Sequence, residues 1–386
     1  MKAVSPTPPP LARAQQTQFG VINLLKAVAA QLIVLHHLAF YGPMADFARP
    51  LLPGAIDWLG DEARIAVQVF LVIGGFLAAK SLASSGNPGL RNPASTILRR
   101  YLKLAPPFMA AMLLAIAASA LAGMWMTHDA ISKPPGMAQV AAHALLLHDV
   151  LGVEALSAGA WYVGIDFQLY ALLCLLLWAG GRVAGGRAAP WLMPAVIAMA
   201  VGASLLYFNL DADWDGWALY FVGSYGLGVL AWWAGDRRRS NRAVAILLCL
   251  MAVPALVALT LDFRSRIALA LVTACVLVLV GRARVPSDAS GAWGLVNGMG
   301  KISYAIFLVH FPVCLVINAL FFRYVPHDMV FQAIGTLLAW GASVGAGAAF
   351  HRWVETPIGR ALAGAVAPAA RRGPQPAAQA ASTVQR

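Results

Sequence analysis

FGVINLLKAVAAQLIVLHHLAF, residues 19–40, is long enough as a helix to cross a bilayer and carries charge inside an apolar run. A hydrocarbon core of roughly 30 Å takes about 20 helical residues. Lys26 and His37 stand eleven residues apart. That is close to three helical turns, so the two side chains share nearly one face and lie about 16 Å apart along the axis. His36 points about 100° away.

Working outward, only 11% of the 386 residues are charged and 60% are hydrophobic, too little polar surface for a soluble domain of this length. Apolar windows recur at 19–41, 65–84, 104–125, 161–180, 189–208, 216–234, 243–261, 264–281, 300–322 and 329–350. They predict an all-α, polytopic membrane helical bundle of about ten transmembrane helices. An N-terminus inside places Arg91, Arg99, Arg100, Lys103, Arg182, Arg187, Arg237, Arg238, Arg239, Arg242, Arg282, Arg284, Arg352, Arg360, Arg371 and Arg372 on the cytoplasmic side. The opposite loops hold only Arg49, Arg64, Lys133, Arg264, Arg266 and Arg323. The positive-inside rule therefore predicts cytoplasmic N- and C-termini in a multi-pass protein of a bacterial inner membrane.

Residues 138–157 contain the apolar run AQVAAHALLLHDVLG, interrupted by His143, His148 and Asp149. A span there would invert every later loop, so it reads as a re-entrant or surface-lying helix on the periplasmic side. The expected organisation is a disordered cytoplasmic leader at 1–18, a transmembrane domain at 19–362 and a disordered cytoplasmic tail at 363–386. No removable signal peptide is read at the start. The net charge of +12 is dispersed between spans rather than gathered on one face, which argues against nucleic acid as a partner. Cys174, Cys249, Cys275 and Cys314 lie in apolar spans without paired spacing, so neither a metal site nor a disulfide framework is expected.

Ionisable residues inside spans are costly and mark candidate sites. Imidazole at His37 can accept a hydroxyl proton near neutral pH, as a general base in acyl transfer must. Lys26 also fits a snorkelling side chain. Asp166, in WYVGIDFQLYALL, could orient or neutralise a protonated histidine or bind a sugar hydroxyl; a helix-start acid is the plain alternative. Arg99, Arg100 and Lys103 precede Pro106 at the start of the third window, where cations suit donor phosphates or simply anchor topology. GKISYAIFLVHFP, residues 300–312, puts Ser303, Tyr304 and His310 along an apolar helix, as in a lined cavity or an interhelical hydrogen-bond seam. Glu355 is the lone acid in HRWVETPIGR, where a surface ion pair is the plain reading. Charges on several spans also fit a transporter of a small solute or sugar derivative, although no internal repeat is evident.

Taken in order, these segments resemble the acyltransferase-3 family of integral membrane acyltransferases, from about residue 19 to about residue 362. Lys26 and His37 keep the spacing of the family's Arg and His in the first span, with Lys for Arg. FLVIGGFL is similar to its Phe-rich run ending Ser-Gly-Phe-Leu, with Gly74 for the serine and Gly75 matching the glycine. Arg100 and Lys103 resemble its Arg-X-X-Arg. Trp161, Asp166, Gln168 and Tyr170 resemble its Trp-X-Leu-Ser-Val-Glu-X-Gln-X-Tyr, with Asp for Glu. Gly300 to Pro312 resembles its Gly-X-Ile-Ser-Tyr and Leu-X-His-X-Pro, and Trp353, Glu355 and Pro357 its closing Glu-X-Pro. The resemblance implies transfer of an acyl group, usually acetyl from acetyl-CoA as donor substrate without a metal, to a hydroxyl of a cell-surface polysaccharide, lipid-linked sugar or related acceptor. It implies His37 as catalytic, with Asp166 beside it, and Lys26, Arg100 and Lys103 in donor handling. Tyr304, His310 and Glu355 are expected at the substrate path or gate. Membrane lipid and polysaccharide biosynthesis machinery are the partners it suggests beyond the glycan or glycolipid acceptor.

Overall fold

A computed structural model describes residues 10–87, 89–185, 187, 189–283 and 291–366, and all regular structure among them is helical. The order is α1 (Pro10–Phe40), α2 (Pro43–Ala48), α3 (Pro53–Asp61), α4 (Val67–Leu82), α5 (Pro93–Ala122), α6 (Met137–Ala144), α7 (Ala160–Ala184) and α8 (Leu192–Leu206). It continues through α9 (Ala218–Gly235), α10 (Asn241–Leu261), α11 (Ser265–Arg282), α12 (Gly291–Tyr324), α13 (Met329–Phe350) and α14 (Thr356–Val366), with a π-helical turn, His351–Glu355, between the last two. Residues 10–18 of the expected leader thus form the first turns of α1, while 1–9 and 367–386 lie outside the described residues.

Among the described residues, nine helices are long and apolar enough to cross a membrane, and they match nine of the ten predicted windows. The tenth window, 216–234, forms α9, whose glycines, tyrosines and tryptophans dilute its hydropathy. Nearly all of α9 is buried, packed against α4, α7, α8, α10 and α11, so protein rather than lipid surrounds it.

Helix direction shows that α9 crosses too. Asn23 Nδ2 donates to Asn297 Oδ1 at 2.9 Å, and thirteen to fourteen residues further on His37 meets His310, so α1 and α12 run parallel and in register. Parallel spans need an odd number of crossings between them. The intervening helices α4, α5, α7, α8, α9, α10 and α11 satisfy this only with α9 included. The chain is a multi-pass helical membrane bundle.

Close helix approach in lipid depends on small residues. A Cβ at Gly75 would stand 1.9 Å from the Tyr225 carbonyl oxygen, and one at Gly228 1.9 Å from that of Val72. Helices α4 and α9 therefore touch backbone to backbone. Helix α6 has eight residues. At about 1.5 Å per residue it is too short to span, in keeping with the reading of 138–157 as something other than a crossing.

Helix α5 corrects the predicted third window, 104–125, because it begins at Pro93. The Asn92 side chain accepts from Ser95 N–H at 3.0 Å and Pro93 opens the first turn, the favoured start for a helix. Arg99, Arg100 and Lys103 consequently sit on the helix, not in the loop before it.

Candidate active site

Arg100 lies on the inward side of α5, where its guanidinium meets the Asp166 carboxylate of α7 at 2.5 Å. The same guanidinium lies over the Tyr170 ring, 5.1 Å from its centre, one helical turn along α7 from Asp166. Asp166 is 6% exposed. Gly74 makes room for it, since a Cβ there would come within 3.3 Å of both Asp166 Oδ1 and the Tyr225 ring. A buried carboxylate without a cation would be strongly penalised, so the pair holds α5 to α7. The Tyr304 hydroxyl is buried without a hydrogen-bond partner and feels the charges of Arg100, Asp166 and Glu355. Lys26 lies in the field of Glu355 and Lys103, and Glu355 is bonded to His351 Nδ1 at 2.8 Å within the π-helical turn. Lys26, Arg100, Lys103, Asp166, Tyr304 and Glu355 therefore form one electrostatic group.

Further along the α1–α12 seam, His37 Nδ1 lies 2.5 Å from His310 Nε2, with ring centres 4.8 Å apart and ring planes within 8°, so the two imidazoles meet edge to edge. Backbone acceptors decide the tautomers. His310 Nδ1 faces the carbonyl oxygens of Phe307 at 2.8 Å and Ile306 at 3.1 Å, so it carries a hydrogen and donates. His310 Nε2 in the neutral ring then has only a lone pair, and His37 Nδ1 must donate to it. The lone pair of His37 is left on Nε2. His36, by contrast, is held by the Leu59 carbonyl at 2.9 Å.

Phe307 stands 6.0 Å from the His310 ring and 5.1 Å from that of Tyr162, and Phe70 is 6.2 Å from Phe307. These rings separate the histidine pair from the Arg100–Asp166 layer. Asp166 accordingly bonds Arg100, and the expectation that it orients the His37 imidazole does not describe its position. His310 takes that place.

His36 and His37 line a cavity of about 770 Å³ walled by α1, α3 and the loops after α5 and α6. Residues 19–350 match the family model for an acyltransferase-3 acyltransferase domain. The chain belongs to the acyltransferase-3 family. No curated protein and no solved structure matches the chain. As an acyltransferase it needs a nucleophile-activating base and access for two substrates, and the parts just described stand at two levels of one bundle. The match ends before Trp353, Glu355 and Pro357, so that closing motif rests on its own residues.

Other motif positions of the acyltransferase serve the architecture. Gln168 accepts from Ala218 N–H at 3.0 Å and donates to the Gly216 carbonyl, fixing the start of α9. His143 and His148 are fully buried and stacked at 4.2 Å. His143 is satisfied by the Gln139 carbonyl and Leu156 N–H. Burial lowers the pKa of His143, and that of His148 to about 4. Burial, with Asp215 nearby, raises the pKa of Asp149 to about 6. The sequence reading named Asp149 but missed the other acids of the cavity wall: Asp61, Glu62, Asp129 and Glu154. It weighed charges inside spans and passed over acids in the loops, where the scarcity of Lys and Arg was the available signal.

Proposed function

We propose that this acyltransferase moves an acyl group, acetyl in the first instance, from acyl-CoA to a hydroxyl of a carbohydrate or glycolipid. The loop-charge bias argues that the Lys26–Lys103 end is cytoplasmic and that the His37 cavity faces the other side of a bacterial inner membrane. The observation that carries the reading is the His37–His310 pair, which leaves one basic nitrogen beside a cavity large enough for a substrate.

In this scheme the phosphates of the donor lie against Lys26 and Lys103, while Arg100 is already engaged by Asp166. Its thioester enters the bundle past the aromatic layer. His37 Nε2 takes the proton of the acceptor hydroxyl as that oxygen attacks the thioester carbonyl. A C–O bond forms, the C–S bond breaks, and the proton on Nε2 passes to the departing thiolate. His310 is a positioning residue, since it touches neither substrate and sets the tautomer of His37.

The test is acetyl transfer and CoA release by purified protein in detergent, with wild type beside His37→Ala. Loss of both in a variant that melts like wild type is expected. Full activity in His37→Ala would overturn the mechanism.

A further inference from the structure

The His37 cavity does not end at the histidines. A second cavity of about 760 Å³ shares Asp61, Glu62, Arg64, Val67, Asp149 and Trp161 with it, so the two are lobes of one cleft. Each lobe alone falls within the range that encloses a drug-sized ligand. The cleft is therefore too long for a single sugar ring.

Its walls differ in charge along that length. In the inner lobe, beside His37, Asp61, Glu62, Asp129, Asp149 and Glu154 face one arginine, Arg64. None of the five carboxylates pairs with Lys or Arg among the described residues. Asp149 Oδ2 is buried at the junction of the lobes, 3.3 Å from His148 Nε2, an ion pair when that imidazole is protonated. His37 itself is 7% exposed and lines this cleft.

The outer lobe adds Arg264 and Arg266, which also tie neighbouring segments together. Arg264 donates to Asn209 Oδ1 at 2.8 Å and to the Asn209 and Leu205 carbonyls. Arg266 donates to the Asn209 carbonyl and lies over the Tyr220 ring at 5.1 Å. Arg264 is also paired with Asp262 at 3.4 Å, and both guanidinium groups line the outer lobe and not the one beside His37. Trp161, shared by both lobes, is stacked on Phe221 with ring centres 5.5 Å apart, an aromatic shelf of the kind that takes the C–H face of a sugar.

Building on the acyl-transfer reading, we propose that the two lobes are one acceptor cleft for a non-anionic glycan of at least two units. The reacting unit sits under His37 and the next crosses the Trp161 shelf. The inner carboxylates turn away uronate or phosphorylated units by like-charge repulsion and favour the imidazolium that forms on His37 during transfer.

The test uses the full-length protein in detergent with labelled acetyl-CoA. Its acceptors are neutral trisaccharides of glucose, galactose, mannose and N-acetylglucosamine, the corresponding monosaccharides, and trigalacturonate. At least one neutral trisaccharide should be acetylated with a KM about tenfold below that of its monosaccharide, and about tenfold faster in kcat/KM than trigalacturonate. Asp129→Asn with Glu154→Gln, both at exposed loop positions, should narrow that neutral-to-anionic ratio about threefold. Equal use of trigalacturonate, a ratio the double variant leaves unmoved, or equal KM for mono- and trisaccharide would overturn the proposal. So would transfer to none of the panel while acetyl-CoA is still hydrolysed, leaving the donor chemistry standing. Loss of hydrolysis as well, in protein that melts normally, would overturn the acyl-transfer reading and this proposal together.

Discussion

At one end of the α1–α12 seam, Lys26 shares a field with Lys103 and Glu355, and Arg100 is locked to Asp166, whose charges reach the buried phenol of Tyr304. At the other, two imidazoles bond each other, His310 donates to backbone carbonyls, and the carboxylates stand off in the cavity wall. The first arrangement gathers formal charges and pairs Arg100 directly with Asp166. The second keeps a neutral base and supplies negative potential from a distance. A buried ion pair fixes helices but holds its groups, whereas a neutral pair can hand over a proton and return to where it began.

The largest expected effect falls on the neutral pair. His37→Ala should lower kcat/KM for acetyl transfer by about 10²–10⁴-fold, the usual contribution of a general base, with an unchanged melting temperature in detergent. His310→Phe keeps an aromatic ring there but removes the acceptor for His37 Nδ1; it should lower kcat about tenfold and leave KM for the donor near wild type. An equal loss in both variants would make His310 a reacting group.

At the charged end the loss should appear as stability. Asp166→Asn strands Arg100 and should cost about 3 kcal/mol on the scale of broken buried pairs. Asp166→Leu with Arg100→Met should regain much of it, measured by denaturation in detergent. Gly75→Ala, driven against the Tyr225 carbonyl, should cost about 1–3 kcal/mol. One position along, Gly74→Ser has 3.3 Å to its nearest neighbours and should stay within about 1.5 kcal/mol, because only side chains need to shift. If both glycine variants behave alike, the α4–α9 contact does not depend on the backbone approach at Gly75.

The smallest net effect in the native protein is the pH slope at the cavity, where two opposed titrations offset each other. Asp149 titrates at about 6 against an ordinary 3.8, so the unfolded chain releases its proton first and stability declines as pH rises from about 4 to 6. His148 titrates at about 4 against 6.5, so on acidification the unfolded chain takes up a proton that the folded chain refuses; stability declines as pH falls across that window. The two slopes oppose each other between about pH 4 and 6 in the native protein. Asp149→Asn should unmask a melting temperature that rises with pH there, and His148→Phe one that falls. Slopes of the same sign would show that the two groups do not titrate apart.

Much of the bundle was legible because hydropathy is a local property. Nine of the ten windows are apolar helices long enough to span, and the eight-residue α6 agrees with a 138–157 segment that does not cross. Boundaries were less legible: Asn92–Pro93 is a helix start that a hydropathy window centred on the apolar run passes over. Within the site, the eleven-residue spacing was legible because Lys26 and His37 lie on one helix, α1. Pairing was not readable, because Arg100 and Asp166 are 66 positions apart and His37 and His310 are 273 apart.

The sequence by itself determined that this chain is a multi-pass helical bundle, that Lys26 and His37 share one face of its first span, and which family it belongs to. Apolar length and 3.6-residue periodicity are written along the chain and need no partner to be read. Only the tertiary structure decided that Asp166 serves Arg100, that His310 sets the tautomer of His37, and that loop acids converge on the cavity. Each of those depends on which helix faces which, and that is set by the close approach of α4 to α9 and the parallel register of α1 with α12.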